Sequence, residues 1–253
     1  MLARTRLLIL AGAPDVGKTT VLREAFGLTH LAAGLSQAAR TEQAHFELHP
    51  EGCERLRPVY IVDTPGFGDG EELHRNDTCR LLMGAGGWIR GGVTLLWVAK
   101  AGRNTRQGAD ELVRRMLDSG VRGVIVVVTH VDRFFEERYR EAGPTWRTGA
   151  LAGLPMKDPQ WVEQRRLLMA ELKEEILAGL RAVAGDGRDL EIVFACLSGW
   201  MVTDEDDEFA QQPPWPWARQ EVSSFFNVLD RRGLRRLLDE RLGLREPVSG
   251  EGP

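Results

Sequence analysis

The chain has 253 residues, enough for one large α/β domain, or two small ones, with a substantial core. An apolar fraction of 43% and a charged fraction of 28% are ordinary for a globular protein, and a net charge of −4 argues against a general electrostatic grip on nucleic acid. The cysteines Cys53, Cys79 and Cys196 are odd in number and widely spaced, so they spell neither a disulfide framework nor a zinc ligand set, and a reducing compartment is expected.

Taken in chain order, Leu7–Ala11 is an apolar run too short for the core of a signal peptide and reads as a buried β-strand. A glycine-bounded loop follows, then a helical pattern over Lys18–Phe26. Glu42–Leu48 mixes polar and apolar residues and predicts an antiparallel edge strand. Val59–Val62, Val93–Val98, Val124–Val128 and Ile192–Cys196 are apolar without clean alternation, as strands buried on both faces of a parallel sheet should be. Helices are expected over Gln107–Ser119, Gln160–Val183 and Glu221–Leu242. In the second of these, Leu168, Leu172, Ile176 and Leu180 recur every four residues and mark a core-facing stripe. Ala142–Pro159 and Thr203–Pro216 read as loops, the latter with a solvated acidic run. Strand and helix alternation of this kind predicts an α/β fold: a mostly parallel central sheet with helices on both faces. One domain over residues 1–245 is expected, with 246–253 a flexible tail. No stretch approaches the roughly 18 apolar residues of a membrane-spanning helix. A cytoplasmic location is expected, with any membrane contact peripheral, through the basic cluster Arg231, Arg232, Arg235 and Arg236 on the last helix.

The strongest chemical signal is the run Gly12, Ala13, Pro14, Asp15, Val16, Gly17, Lys18, Thr19, followed by Thr20. It leaves a buried strand and opens a helix, which is the setting of a phosphate-binding P-loop. Backbone N–H groups and the positive helix end surround a β-phosphate, Lys18 reaches the β- and γ-oxygens, and the Thr19 hydroxyl binds Mg²⁺. Chance supplies such a match in on the order of one chain per hundred of this size, before the strand and helix are required. The lysines are Lys18, Lys100, Lys157 and Lys173 in a chain that otherwise uses Arg. Lys at the phosphate position fits a need for a compact charge on a flexible stem.

Asp63-Thr-Pro-Gly66 ends the strand Val59–Val62. There Asp63 can hold Mg²⁺ through water while the Gly66 N–H meets the γ-phosphate; the bland alternative is a turn. Thr129-His130-Val131-Asp132 ends the strand Val124–Val128. The Asp132 carboxylate can accept from guanine N1–H and the exocyclic amine, a donor pair adenine lacks; alternatively it is a helix N-cap. His130 stands where a base-covering Lys is usual.

Asp63-Thr-Pro-Gly-Phe, the strand Thr94–Val98 and Gly102-Arg103-Asn104-Thr105 leading into Gln107–Leu117 together resemble the immunity-associated (GIMAP, or avirulence-induced) GTPases. The resemblance covers about Leu7 to Asp132. Septins and chloroplast import-receptor GTPases are that family's nearest relatives, and the latter share a Thr-His pair before the base-recognition position. The resemblance implies a P-loop NTPase G domain binding GTP or GDP with Mg²⁺. Phosphate contacts fall at Gly12, Gly17 and Lys18, switch contacts at Asp63 and Gly66, and base recognition at Thr129, His130 and Asp132. Metal ligands are Thr19, Asp63 and, from the first switch, Thr41, with Thr29 the weaker alternative. The last base loop follows Ile192–Cys196, with Ser198 offering its N–H and Trp200 either stacking or lying in the core. Phe67 occupies the place where Ras-like GTPases carry a water-orienting Gln, so slow hydrolysis is expected, assisted by a second copy. The family implies a homodimer across the nucleotide face, with Arg103 as the group acting in trans. Two other readings stay open: a GTP-locked scaffold with little turnover, and an ATP-dependent small-molecule kinase with a lid drawn from Arg138, Arg140 and Arg147.

Overall fold

The structure is a computed structural model, and it describes residues 6–13, 16–28, 45–48, 59–63, 93–102, 109–118, 121, 123–135, 137–138, 141, 158–185, 190–197 and 215–244. Among the described residues six strands form one sheet: β1 (Arg6–Ala11), β2 (His45–Leu48), β3 (Val59–Asp63), β4 (Val93–Lys100), β5 (Gly123–Thr129) and β6 (Glu191–Phe194). Their order is β2-β3-β1-β4-β5-β6. All neighbours run parallel except β2, which pairs antiparallel with β3, so the polar-apolar segment lies at the edge as its composition suggests. Among the described residues, the sheet is accompanied by the helices α1 (Lys18–Phe26), α2 (Ala109–Asp118), α3 (Pro159–Ala184), α4 (Trp215–Phe226) and α5 (Arg231–Arg241). This is the α/β layout of a P-loop G domain.

Alternation along the strands divides the core. Leu7, Ile9 and Ala11 of β1 join Val113 of α2, Leu172 and Ile176 of α3 and Val222 of α4 on one face. Leu8 and Leu10 join Leu22 of α1 and Leu234 and Leu238 of α5 on the other. Because both faces are covered, β1 is apolar throughout, and the helices stay amphipathic. The four-residue stripe of α3 behaves as its spacing predicts: Leu172, Ile176 and Leu180 are buried, and Leu168 packs on the flank. Pro159 opens α3 behind an Asp158 cap, whose carboxylate accepts from Gln160 N at 2.9 Å. At its far end Arg114 of α2 donates to the carbonyls of Ala182 and Val183 at 3.2 and 3.3 Å, two acceptors that no further helical turn could satisfy.

The C-terminal helix expected over Glu221–Leu242 is instead two helices. Asn227 turns left-handed (φ 50°) after α4, and Asp230 caps α5 by accepting from Gly233 N at 2.7 Å. Between them Leu229 leaves helical geometry to pair with β6: its N–H donates to Phe194 O at 2.8 Å, and its carbonyl accepts from Cys196 N at 3.0 Å. The pairing covers the open edge of β6. It also shortens the strand expected over Ile192–Cys196, since Ala195 contributes only an isolated bridge. The expected loop Thr203–Pro216 is shorter than its Pro content suggests: α4 starts at Trp215, with Pro216 in its first turn, where a missing N–H costs nothing.

Candidate nucleotide site

The loop after β1 is built by two glycines needed for different reasons. A Cβ on Gly12 would stand 2.2 Å from the Val98 carbonyl of β4, so the residue is dictated by close approach of two backbones. Gly17 sits at φ 92° as the N-cap of α1, a left-handed conformation glycine adopts without strain. Lys18 opens α1 and is 7% exposed; its ammonium curls into the loop and donates to Gly12 O at 3.0 Å and Ala13 O at 2.8 Å. A buried cation resting on its own loop carbonyls is held where an anion can draw it off. Thr19 and Thr20 follow in the first turn, both half-buried.

Asp63 ends β3, 2% exposed, in register with Leu10 of β1, so its carboxylate lies one strand away from the start of the loop. A Lys ammonium, a Thr hydroxyl and a strand-end carboxylate at the C-terminal end of the sheet fit a phosphate chain with Mg²⁺. That ion keeps several waters and needs few protein ligands. Accordingly, no cluster of three His, Cys, Asp or Glu is required here, and among the described residues none occurs.

Thr129 joins the loop after β1 to the segment that bears Asp132. Its hydroxyl donates to Val16 O at 2.7 Å, with Ala99 O also near at 3.2 Å. Since its proton serves the shorter bond, the Thr129 oxygen is left to accept from His130 Nδ1–H at 2.9 Å. That fixes the neutral ring with Nε2 bare. Burial, then the Lys100 and Arg133 cations, hold the imidazole below its ordinary range, with Asp132 opposing them. His130 is left-handed (φ 58°), and its Cε1 would stand 3.9 Å from a Cβ on Gly17, which puts the ring at the end of the loop. The helical turn over residues 131–135 starts after His130, whose carbonyl accepts from Phe134 N at 3.0 Å. Asp132 therefore lies inside the turn, half-buried, and is not its N-cap.

β6 approaches the same place. Cys196 is half-buried, and its thiol is pushed up to about 11 by burial first and then by the charge of Asp132. Cys196, just past the end of β6, thus lies within electrostatic reach of the Asp132 carboxylate. Gly12, Ala13, Val16, Gly17, Lys18, Thr19, Thr20, Asp63, Thr129, His130 and Asp132 accordingly gather at the C-terminal ends of β1, β3 and β5. Pro14, Asp15, Thr41, Gly66, Arg103 and Ser198 lie outside the described residues. Sequence reasoning missed Lys100 and Arg133 as neighbours of His130. Their signal was positional: Lys100 ends β4 and is in register with Thr129.

No protein-family model matches the sequence, and comparison with characterised proteins gives no match. Solved structures do resemble it. A dimerisation-deficient mutant of Toc33 from Arabidopsis thaliana is 14% identical, over 76% of this chain and 70% of its own, with a TM-score of 0.45. Era in complex with MgGDPNP and a segment of 16S ribosomal RNA is 12% identical, over 99% of this chain and 60% of its own, with a TM-score of 0.47. The G domain of the T. maritima FeoB iron transporter is 17% identical, over 55% of this chain and 83% of its own, with a TM-score of 0.36. At such scores the roles of individual residues rest on this chain's own geometry.

Proposed function

We propose that the chain is a guanine-nucleotide-binding protein that hydrolyses GTP to GDP slowly with Mg²⁺. The observation that carries the reading is the Thr129 hydroxyl bond to Val16 O, which locks the segment bearing Asp132 against the loop bearing Lys18. A ligand fitting both halves has phosphates at one end and a base at the other. In this reading Lys18 turns from its loop carbonyls to the β- and γ-oxygens, and Thr19, Asp63 and Thr41 hold Mg²⁺. Gly66 meets the γ-phosphate, and Asp132 selects guanine. His130 covers the base from the loop side, and Ser198 meets it from the segment after β6. Bound Mg²⁺ neutralises charge developing on the phosphates.

Within that reading the chain is one G domain over residues 1–245, of the immunity-associated type. It is a switch whose nucleotide state governs dimerisation across the nucleotide face, with Arg103 supplied in trans. The deciding experiment is binding of GTP, GDP and ATP to purified protein with Mg²⁺, alongside Asp132→Ala. A guanine preference that Asp132→Ala removes supports the reading; tight ATP binding untouched by that change would overturn it in favour of a kinase.

A further inference from the structure

The C-terminal helical pair fastens to β6 at both ends of that strand. At the start of β6, Arg241 of α5 donates from Nε to both Glu191 oxygens at 2.8 Å, and its Nη2 stands 2.7 Å from Oε1. At the other end Leu229 exchanges two backbone hydrogen bonds with Phe194 and Cys196. Between these points Leu234, Leu238 and Leu242 are buried against the sheet. α5 therefore lies antiparallel along β6. The only residue separating the Leu229 bridge from α5 is its cap, Asp230.

Ala195 bonds to Val128, the residue before Thr129 in the parallel strand β5, so Cys196 leaves the sheet beside the segment that bears Asp132 and feels its charge. A strand end held by one neighbour alone frays; this one is bonded to β5 through Ala195 N to Val128 O at 2.9 Å and to Leu229 on the opposite side. The second bond comes from a residue 33 positions further along the chain, counting from Cys196 to Leu229. The base-side exit of β6 is thus set by the α4–α5 connection as much as by the sheet.

We infer that the Leu229 backbone is a positioning element of the nucleotide site, holding the exit of β6 so that the base, and not the phosphate chain, is gripped. This rests on the guanine-nucleotide reading above. Coupling is reciprocal: occupancy of the base side steadies the α4–α5 connection, and loosening that connection weakens base recognition. Phosphate binding, made by the loop after β1 on the far side of β4, is unaffected.

The test is Leu229→Pro in the full chain, which deletes the N–H donated to Phe194. GDP, ADP and inorganic tripolyphosphate are titrated with Mg²⁺. The expected result is an about tenfold loss of GDP affinity with tripolyphosphate affinity unchanged, so that discrimination against ADP narrows. Equal losses for both ligands, or none, overturn the inference. Val113→Ala, a core truncation in α2 outside β6 and the α4–α5 connection, controls for lowered stability and should leave discrimination intact. Should Leu229→Pro fail to fold, hydrogen exchange on the wild-type chain decides the matter. GDP, but not tripolyphosphate, should slow exchange at residues 194–197 and 227–230 together, and protection at one segment without the other overturns the coupling. If wild-type protein shows no preference for GDP over ADP, the guanine reading itself has failed.

Discussion

Gly12 and Gly17 both look like flexible loop glycines in the sequence, yet their substitutions should differ in kind. Gly12→Ala drives a methyl to 2.2 Å from a strand carbonyl that cannot move without disturbing the β1–β4 pairing, so it should prevent native folding. Gly17→Ala meets nothing closer than 3.9 Å and suffers only the left-handed backbone, about 1–2 kcal/mol. Denaturant melts of the two variants test the contrast; equal destabilisation would show that the close approach at Gly12 is relieved in solution. His130 yields a second prediction. Its folded-state pKa is depressed below 6.5, so the unfolded chain takes up the proton first as pH falls. Stability is therefore fully present above pH 6.5 and declines as pH drops through the folded value. His130→Asn should flatten the slope of unfolding free energy against pH below 6.5, and an unchanged slope would assign it to other groups. At this scale the sequence was most readable where chemistry and backbone coincide. Lys18, Asp63 and Asp132 announce themselves by type and spacing. The Thr129 bond to Val16 does not, because a hydroxyl finding a carbonyl 113 positions earlier depends on the finished sheet.

Among elements, α1 matches its expected limits, because Gly17 and Gly27, both left-handed, punctuate it. β1 and β3 to β5 were legible as unalternating apolar runs, the direct consequence of burial on two faces. The C-terminal helices were not. Phe225, Phe226, Leu229, Leu234 and Leu238 keep a helical spacing across the break. What interrupts them is the tertiary pairing of Leu229 with β6, with Asn227 and Asp230 the only local marks. α3 and α4 are joined by a charged pair that neither helix advertises. Arg165, 1% exposed, donates to Glu221 at 2.6 and 2.8 Å in a bidentate fork. Glu221→Ala takes this fork from the buried guanidinium and is expected to destabilise by about 2 kcal/mol, more than Glu221→Gln, which keeps one acceptor. Chemical denaturation of the two variants measures this, and equal losses would count against the fork.

For the whole molecule, the legible part was the class of fold and the strand ends on which the candidate residues fall. The parts that stayed hidden depend on contacts between distant segments. Among the described residues no helix is long and apolar enough to cross a membrane. The leucines of α5 are turned into the core, and its exposed cations are partly engaged, as Arg231 is with Glu24 at 3.7 Å. That leaves α5 no spare apolar face for a lipid surface. The proposed dimer has a kinetic signature. Turnover per molecule should rise with protein concentration, and Arg103→Ala should remove that rise by at least about tenfold at saturation while sparing GTP binding. Turnover independent of concentration, or an Arg103→Ala protein as active as wild type, would remove the dimer from the mechanism.

Arg6, on the first strand, donates to the Leu242 carbonyl at the end of the last helix, and α5 shares with α1 the face of the sheet lined by Leu8, Leu10, Ile61 and Val98. On the ribosome these residues emerge in the wrong order for comfort. The central strand is made long before α5, which supplies half its cover, so an oily sheet face waits, exposed, while the intervening segments are synthesised. The nascent chain is therefore a natural client for a chaperone that shields apolar surface until α5 closes over that face and pins the edge of β6.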